Sequence, residues 1–278
     1  MTKIERREPY RRPLLRLLAK TAVLANAMPL ARAAAATKPQ LKAIAFDAFP
    51  IFDPRPLSAA AEDVFPGKGA QLGNVWRSRQ FEYQWLRVLS GHYADFWQTT
   101  EEALVFSARS LELDLTIGKR AQLMDAYLSL KAWPDAPRAL ALLKQAGMQL
   151  ALLSNWTSKM LDTAIRNAGL ERVFDHVLSA DQVASHKPDP RAYRMAMDAF
   201  ALEREQILFA AFAGWDAAGA KWFGYPTFWV NRLNAPPEEL GVSADASGSD
   251  LSELVEFVRH RNGNAGRAGA SLNGGSAA

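Results

Sequence analysis

Four short stretches hold the residues that could do chemistry, and they follow one another in a telling order. Asp47 ends the apolar run AIAF, and Phe49, Pro50 and a second aspartate, Asp53, come straight after it. Ser154-Asn155 ends the run MQLALL, Lys187 stands in SHKPDPRAY, and Asp216 follows the run ILFAAF in GWDAAGAK. A carboxylate can act as nucleophile or base, an ammonium can neutralise it, and a hydroxyl beside an amide can bind an anion. Each residue alone also reads as ordinary structure: Asp47 as a turn cap, Ser154 and Asp216 as helix N-caps, Lys187 as a loop charge. Their joint placement at the ends of buried strands favours a shared site. In an open parallel sheet the carboxyl ends of neighbouring strands converge on one crevice.

The elements that must position these groups follow from periodicity. Residues 43–46, 148–153, 173–178, 207–212 and 227–230 read as strands. The long apolar runs among them fit strands covered on both faces. Helices are expected over 57–65, 71–90, 96–113, 119–130, 137–145, 160–168, 191–200 and 217–223. In the second of these, Leu72, Trp76, Tyr83 and Leu86 recur at helical spacing. Gly91 and Gly169 fall where helices close. No convincing strand lies between about 56 and 130. The expected fold is therefore α/β: a doubly wound, Rossmann-like parallel sheet with a helical cap inserted after the first strand. The core would span 41–55 and 131–262, and the cap 56–130. A tail over 263–278, rich in Gly, Ala, Ser and Asn, is expected to be disordered.

Composition narrows the function classes. The net charge of +4 invites a nucleic-acid partner. Its distribution argues against one, because residues 1–40 carry nine Lys/Arg against two acids and leave the remaining 41–278 at −3. The chain has no cysteine, which excludes thiolate chemistry and disulfides, and its four histidines show no metal-ligand spacing. Residues 1–40 read as an export leader: Arg11-Arg12, a short apolar stretch over 21–30, then Ala31-Arg32-Ala33 as a small-residue cleavage site. The paired arginines resemble a twin-arginine signal and point to the periplasm; an amphipathic basic helix on a cytoplasmic protein is the alternative. No stretch reaches the roughly 18 apolar residues of a membrane span.

From Lys42 to Asn231 the chain resembles the haloacid dehalogenase superfamily, and within it the L-2-haloacid dehalogenases. FDAFPIFD resembles the nucleophile loop, WRSRQFEYQWLRVL the cap helix, and LLSNWT, HKPDPRAY and GWDAAGAK the second, third and fourth motifs. The resemblance implies hydrolysis of short L-2-haloacids to 2-hydroxyacids with inversion. Asp47 would be the nucleophile, Arg77 would cradle the departing halide, and Ser154 would bind the substrate carboxylate. Lys187 would neutralise Asp47 and pair with Asp216, which helps to orient the hydrolytic water. Asn155 and Tyr193 would support this network, and Phe49, Phe81, Phe96 and Trp215 would wall the substrate. No metal or other cofactor is implied, and the only partner is a small-molecule 2-haloacid, with a homodimer through cap and core helices left open. Superfamily phosphatases carry a second aspartate where Phe49 stands, so phosphate monoesters would lack their proton donor.

Two departures from the family pattern bear on activity. The loop after Asp47 is one residue shorter and lacks the Gly-Thr pair, with Pro50 in its place. In the fourth motif Ala211, Phe212 and Ala213 replace Ser-Ser-Asn. Losing one preorganised donor typically costs about 10²–10³ in rate. Two function classes therefore follow: a dehalogenase of altered or reduced activity, and a degenerate, non-catalytic binder of small acids.

Overall fold

The structure, a computed structural model, describes residues 39–273, which fall within one compact unit. The leader read over 1–40 lies outside the described residues except for its last two positions.

Six strands form one parallel sheet: β1 Ala43–Phe46, β2 Gln149–Ser154, β3 His176–Ser179, β4 Ile207–Ala211, β5 Thr227–Val230 and β6 Ala246–Gly248. Their order is β3-β2-β1-β4-β5-β6. The chain builds outward from β1 to one side, then returns to build the other side from β4. The strand order thus reverses between β1 and β4, where a doubly wound sheet opens its ligand crevice. Asp47, one residue beyond β1, sits at that mouth.

Alternation along the strands explains the two cores. Ile44, Phe46, Leu150, Leu152, Leu208 and Phe228 pack on one face. They meet Leu140, Leu161 and Leu254 from α5 (Ala136–Gln145), α6 (Ser158–Ala168) and α9 (Leu251–Asn273). Ala43, Ala45, Ala151, Leu153 and Phe209 face the other way, against α7 (Pro190–Phe200) and α8 (Gly214–Phe223). The alanines on this face leave room for Tyr193 and Tyr225, both fully buried.

Between β1 and α5 the chain makes four helices: α1 Arg55–Val64, α2 Gly69–Ser90, α3 Phe96–Ser110 and α4 Ile117–Asp125. Asp95 and Thr116 cap α3 and α4 with their side-chain oxygens, and Gly91 ends α2 in the left-handed conformation with φ 72°. The buried stripe of α2 runs through Leu72, Trp76, Gln80 and Gln84, whereas Leu86 is exposed and Tyr83 half-buried. The apolar face expected through Tyr83 and Leu86 is therefore rotated. Two glutamines occupy the inner face because they find hydrogen-bond partners there.

The third strand begins at His176 rather than Val173, because Val173 and Phe174 turn the chain under α6 before the edge pairs. Beyond Asn231 the sequence reading assigned no elements, yet β6 and α9 are present. The last helix continues to Asn273, eleven residues into the stretch assigned to disorder. Extending an established helix costs far less than nucleating one, and the alanines there favour it.

Candidate active site

Lys187 organises the site. Its ammonium is buried and lies 2.8 Å from Asp47 Oδ1 and 2.6 Å from Asp216 Oδ2. Three chain segments, the ends of β1, the α7 approach and the first turn of α8, thus meet on one cation. Burial pulls the lysine pKa down, but the two carboxylates outweigh this and hold it above its ordinary value, so Lys187 stays charged. Asp216 is pushed up to about 6, first by burial and then by repulsion from Asp47, against the pull of Lys187 and Tyr193. Tyr193, also raised by burial, keeps its proton and donates it to Asp216 Oδ1 at 2.7 Å. Around this cluster two negative charges face one positive charge, so an incoming carboxylate needs further donors.

Two side chains at the site keep donors free. Ser154 Oγ accepts the Trp156 N–H at 3.2 Å, which leaves the hydroxyl proton for another acceptor. Arg77, on α2, makes no hydrogen bond or ion pair among the described residues; its guanidinium lies 5.8 Å from the Phe81 ring. A narrow cavity of about 30 Å³ is lined by Asp47, Phe49, Arg77, Phe81, Phe96, Ser154, Asn155, Trp156, Lys187, Phe212, Ala213, Trp215 and Asp216. All the site residues expected from the sequence line it except Tyr193. That tyrosine stands behind Asp216 and donates to it, outside the cavity lining. Gly219 makes this packing feasible: a Cβ there would come within 2.5 Å of the Tyr193 hydroxyl.

The apolar wall is an aromatic cluster. Phe49 meets Trp156 edge-on at 5.2 Å and Phe212 at 5.5 Å, while Phe81 packs against Trp85 and Trp215. Phe96 contacts Trp156 and Tyr127. Excluding water in this way strengthens every charge interaction at Asp47.

The shortened loop after Asp47 manages without glycine. No residue from Asp47 to Asp53 has positive φ, and the Ile51 and Phe52 N–H groups both donate to Ala48 O. The indole of Trp133 donates to Phe49 O at 2.9 Å, and Arg232 donates to Pro50 O at 2.9 Å while paired with Asp135. Asp47 Oδ2 accepts the Phe49 N–H at 3.2 Å. Pro50 has no N–H to lose here, and the Phe49 N–H gives Asp47 Oδ2 a donor where the family pattern has a threonine hydroxyl.

One site residue escaped the sequence reading. Gln84 on α2 is fully buried, and its Oε1 accepts from Asn155 Nδ2 at 2.9 Å. Asn155 Oδ1 in turn accepts the backbone N–H of Lys187 at 2.7 Å. The helical insertion is thereby tied to the backbone that carries the lysine. Gln84→Met should strand the buried Asn155 amide at a cost of about 1–3 kcal/mol. It should also lower kcat roughly tenfold, as measured by steady-state kinetics beside a thermal melt.

A parallel sheet with a lysine-neutralised aspartate at its switch point, roofed by inserted helices, is a capped Rossmann-like α/β fold. The model of the haloacid dehalogenase-like hydrolases matches residues 16–224. An (S)-2-haloacid dehalogenase of Pseudomonas sp. (strain YL) is 42% identical over 226 residues, covering 81% of this chain and 97% of that protein. Haloacetate dehalogenase H-2 of Moraxella sp. (strain B) is 37% identical, covering 79% of this chain and 98% of that one. Among solved structures, L-2-haloacid dehalogenase from Xanthobacter autotrophicus with covalently bound chloropropionic acid superposes with a TM-score of 0.73 at 34% identity, covering 79% of this chain and 99% of that chain. The chain belongs to the haloacid dehalogenase-like hydrolase family.

Proposed function

We propose that the protein hydrolyses short L-2-haloacids to 2-hydroxyacids through an ester on Asp47. The observation that carries this reading is the buried contact of Asp47 with Lys187 under a cavity where Arg77 has no other charge to serve. An Asp47 carboxylate oxygen attacks C2 from the side opposite the halogen. The new C–O bond forms as the carbon–halogen bond breaks, and its electron pair leaves with the halide toward Arg77. Halide is a stable anion and needs no proton, so an apolar Phe49 beside the nucleophile is no handicap. Water, oriented by Asp216, then adds to the ester carbonyl; the bond from that carbon to the C2 oxygen breaks, one proton of the water goes to the departing alkoxide and the other is lost to solvent. The product keeps an Asp47 oxygen on an inverted C2, and Asp47 is regenerated.

Ala211 and Ala213 offer this second step only backbone groups. Ester hydrolysis is therefore the slow step, and pre-steady-state mixing with L-2-chloropropionate should show a burst of halide before the linear phase. The relatives named (S)-2-haloacid dehalogenases support the substrate class. A non-catalytic binder has no need of the buried Asp47–Lys187–Asp216 cluster, which burial makes costly to keep.

The raised carboxyl of Asp216 gives a pH test. A carboxyl shifted up to about 6 is ionised above that pH and protonated below it. Rate should therefore fall about tenfold per unit as pH drops below about 6. Tyr193→Phe removes a hydrogen bond to the ionised form, so the falling limb should move to higher pH.

Assembly and location complete the reading. Leu86 and Leu89 on α2 and Phe106 on α3 are exposed, which supports a homodimer through this face. Light scattering on the protein and on Leu89→Glu tests it, with a monomer expected only for the variant. The twin-arginine-like leader supports export to the periplasm, and N-terminal sequencing of native protein should find a terminus beyond Ala31. No helix among the described residues is long and apolar enough to cross a membrane.

A further inference from the structure

The space beside Asp47 does not end at the Phe49 ring. A second cavity of about 150 Å³ adjoins the narrow one of about 30 Å³, and Phe49, Arg77, Phe81 and Phe212 line both. Leu57, Trp76, Tyr127 and Leu233 supply most of its remaining apolar wall. Apart from Arg77 and Ser58, the polar side chains around it are engaged elsewhere. Trp76 Nε1 donates to Thr100 O, Gln80 Nε2 donates to Thr100 Oγ1 and the Tyr127 hydroxyl, and Arg55 is paired with Asp53. What remains facing the space is mostly carbon.

Gly73 lines this cavity from inside α2, and a Cβ placed there would meet no atom within 4 Å. Glycine inside a helix is less stable than alanine by about 1 kcal/mol. Here that disadvantage coincides with open space, not with a close neighbour that would forbid a side chain.

We infer that this cavity receives the carbon chain on C2 of the substrate, making the preferred substrates 2-haloacids with an apolar chain of about four carbons. At about 30 Å³ for each water-sized group, the space admits about five such groups. The inference rests on the dehalogenase reading and specifies its substrate. With the halogen directed to Arg77 and the carboxylate to Ser154, the remaining carbon substituent runs past the paired rings of Phe49 and Phe212, which line both cavities. Phe212, standing where the family pattern has serine, makes that passage apolar.

The test compares kcat/KM for (S)-2-bromohexanoate and (S)-2-bromopropionate in the wild type, Gly73→Ala and Gly73→Leu. Burial of each added methylene favours the longer acid about fourfold, so the wild type should prefer it by at least about tenfold. Gly73→Leu fills the cavity and should bring the ratio to about one or below, with Gly73→Ala between. Both variants replace a helical glycine and should melt no lower than the wild type. A wild type that favours bromopropionate would overturn the inference. So would a Gly73→Leu that slows both acids equally, which marks the cavity as a route for halide or water. If no haloacid were turned over by folded protein, the dehalogenase reading would fall separately. Calorimetry would then decide the chain site: tighter binding of 2-hydroxyhexanoate than lactate, lost in Gly73→Leu, supports it, and equal binding refutes it.

Discussion

Asp47→Ala should abolish halide release from L-2-chloropropionate while leaving a folded protein. The carboxylate supplies the bond-forming oxygen, and nothing else in the cavity can replace it: Ser154 accepts a backbone N–H, and Asp216 has both oxygens engaged by Lys187 and Tyr193. Loss of a nucleophile in comparable enzymes costs on the order of 10⁴-fold or more. Stability should change little. Removing Asp47 leaves Lys187 paired with Asp216, one positive charge against one negative, so no uncompensated charge remains. A halide electrode and a calorimetric melt check the two halves.

Lys187→Met has the opposite character, damaging fold and function together. Without the ammonium, Asp47 and Asp216 face each other across a site from which water is largely excluded, and Asp216 is buried. Breaking a buried ion pair by removing one partner costs about 3–5 kcal/mol. The pH dependence identifies the cause. Carboxyls pushed up in the folded state contribute stability below their unfolded pKa, and that contribution is lost as pH rises through the folded one. The variant should therefore melt closest to the wild type at acid pH and lose ground toward neutrality. Adding Asp216→Asn to Lys187→Met should recover much of the stability and none of the activity. A single variant whose melting deficit did not change with pH would contradict the cluster's electrostatics.

The charged part of the site is legible in the sequence because Asp47, Ser154 and Asp216 each end a strand or open a helix, while Lys187, eight residues beyond the end of β3, stands in the short approach to α7. Asp47, Ser154, Lys187 and Asp216 could be placed without knowing any long-range contact. The bracing could not be read this way. Gln84 meets Asn155 across 71 residues, Trp133 meets Phe49 across 84, and Arg232 meets Asp135 across 97. No local pattern marks such partners, although two glutamines on the inner face of a helix are a usable warning. Pro50 reads in the sequence as a loss of support because the braces on its loop, Trp133 and Arg232, come from distant residues. The edge strand β6 is three residues, ASG, held to β5 by backbone pairing and invisible to hydropathy. Helix α9 was legible, with Leu251, Leu254, Val255 and Val258 at helical spacing and buried. The glycine-rich residues that follow Val258 obscure that pattern.

The central step is an ester on Asp47 that water opens at the carboxyl carbon. The direct measurement is a single turnover with enzyme in excess over L-2-chloropropionate in heavy-oxygen water, followed by mass analysis of the lactate and of the peptide holding Asp47. Ordinary oxygen is expected in the new hydroxyl of the lactate and heavy oxygen in the carboxylate of Asp47. Heavy oxygen in the lactate hydroxyl, with Asp47 unlabelled, would show that water attacks C2 directly and would contradict the ester mechanism.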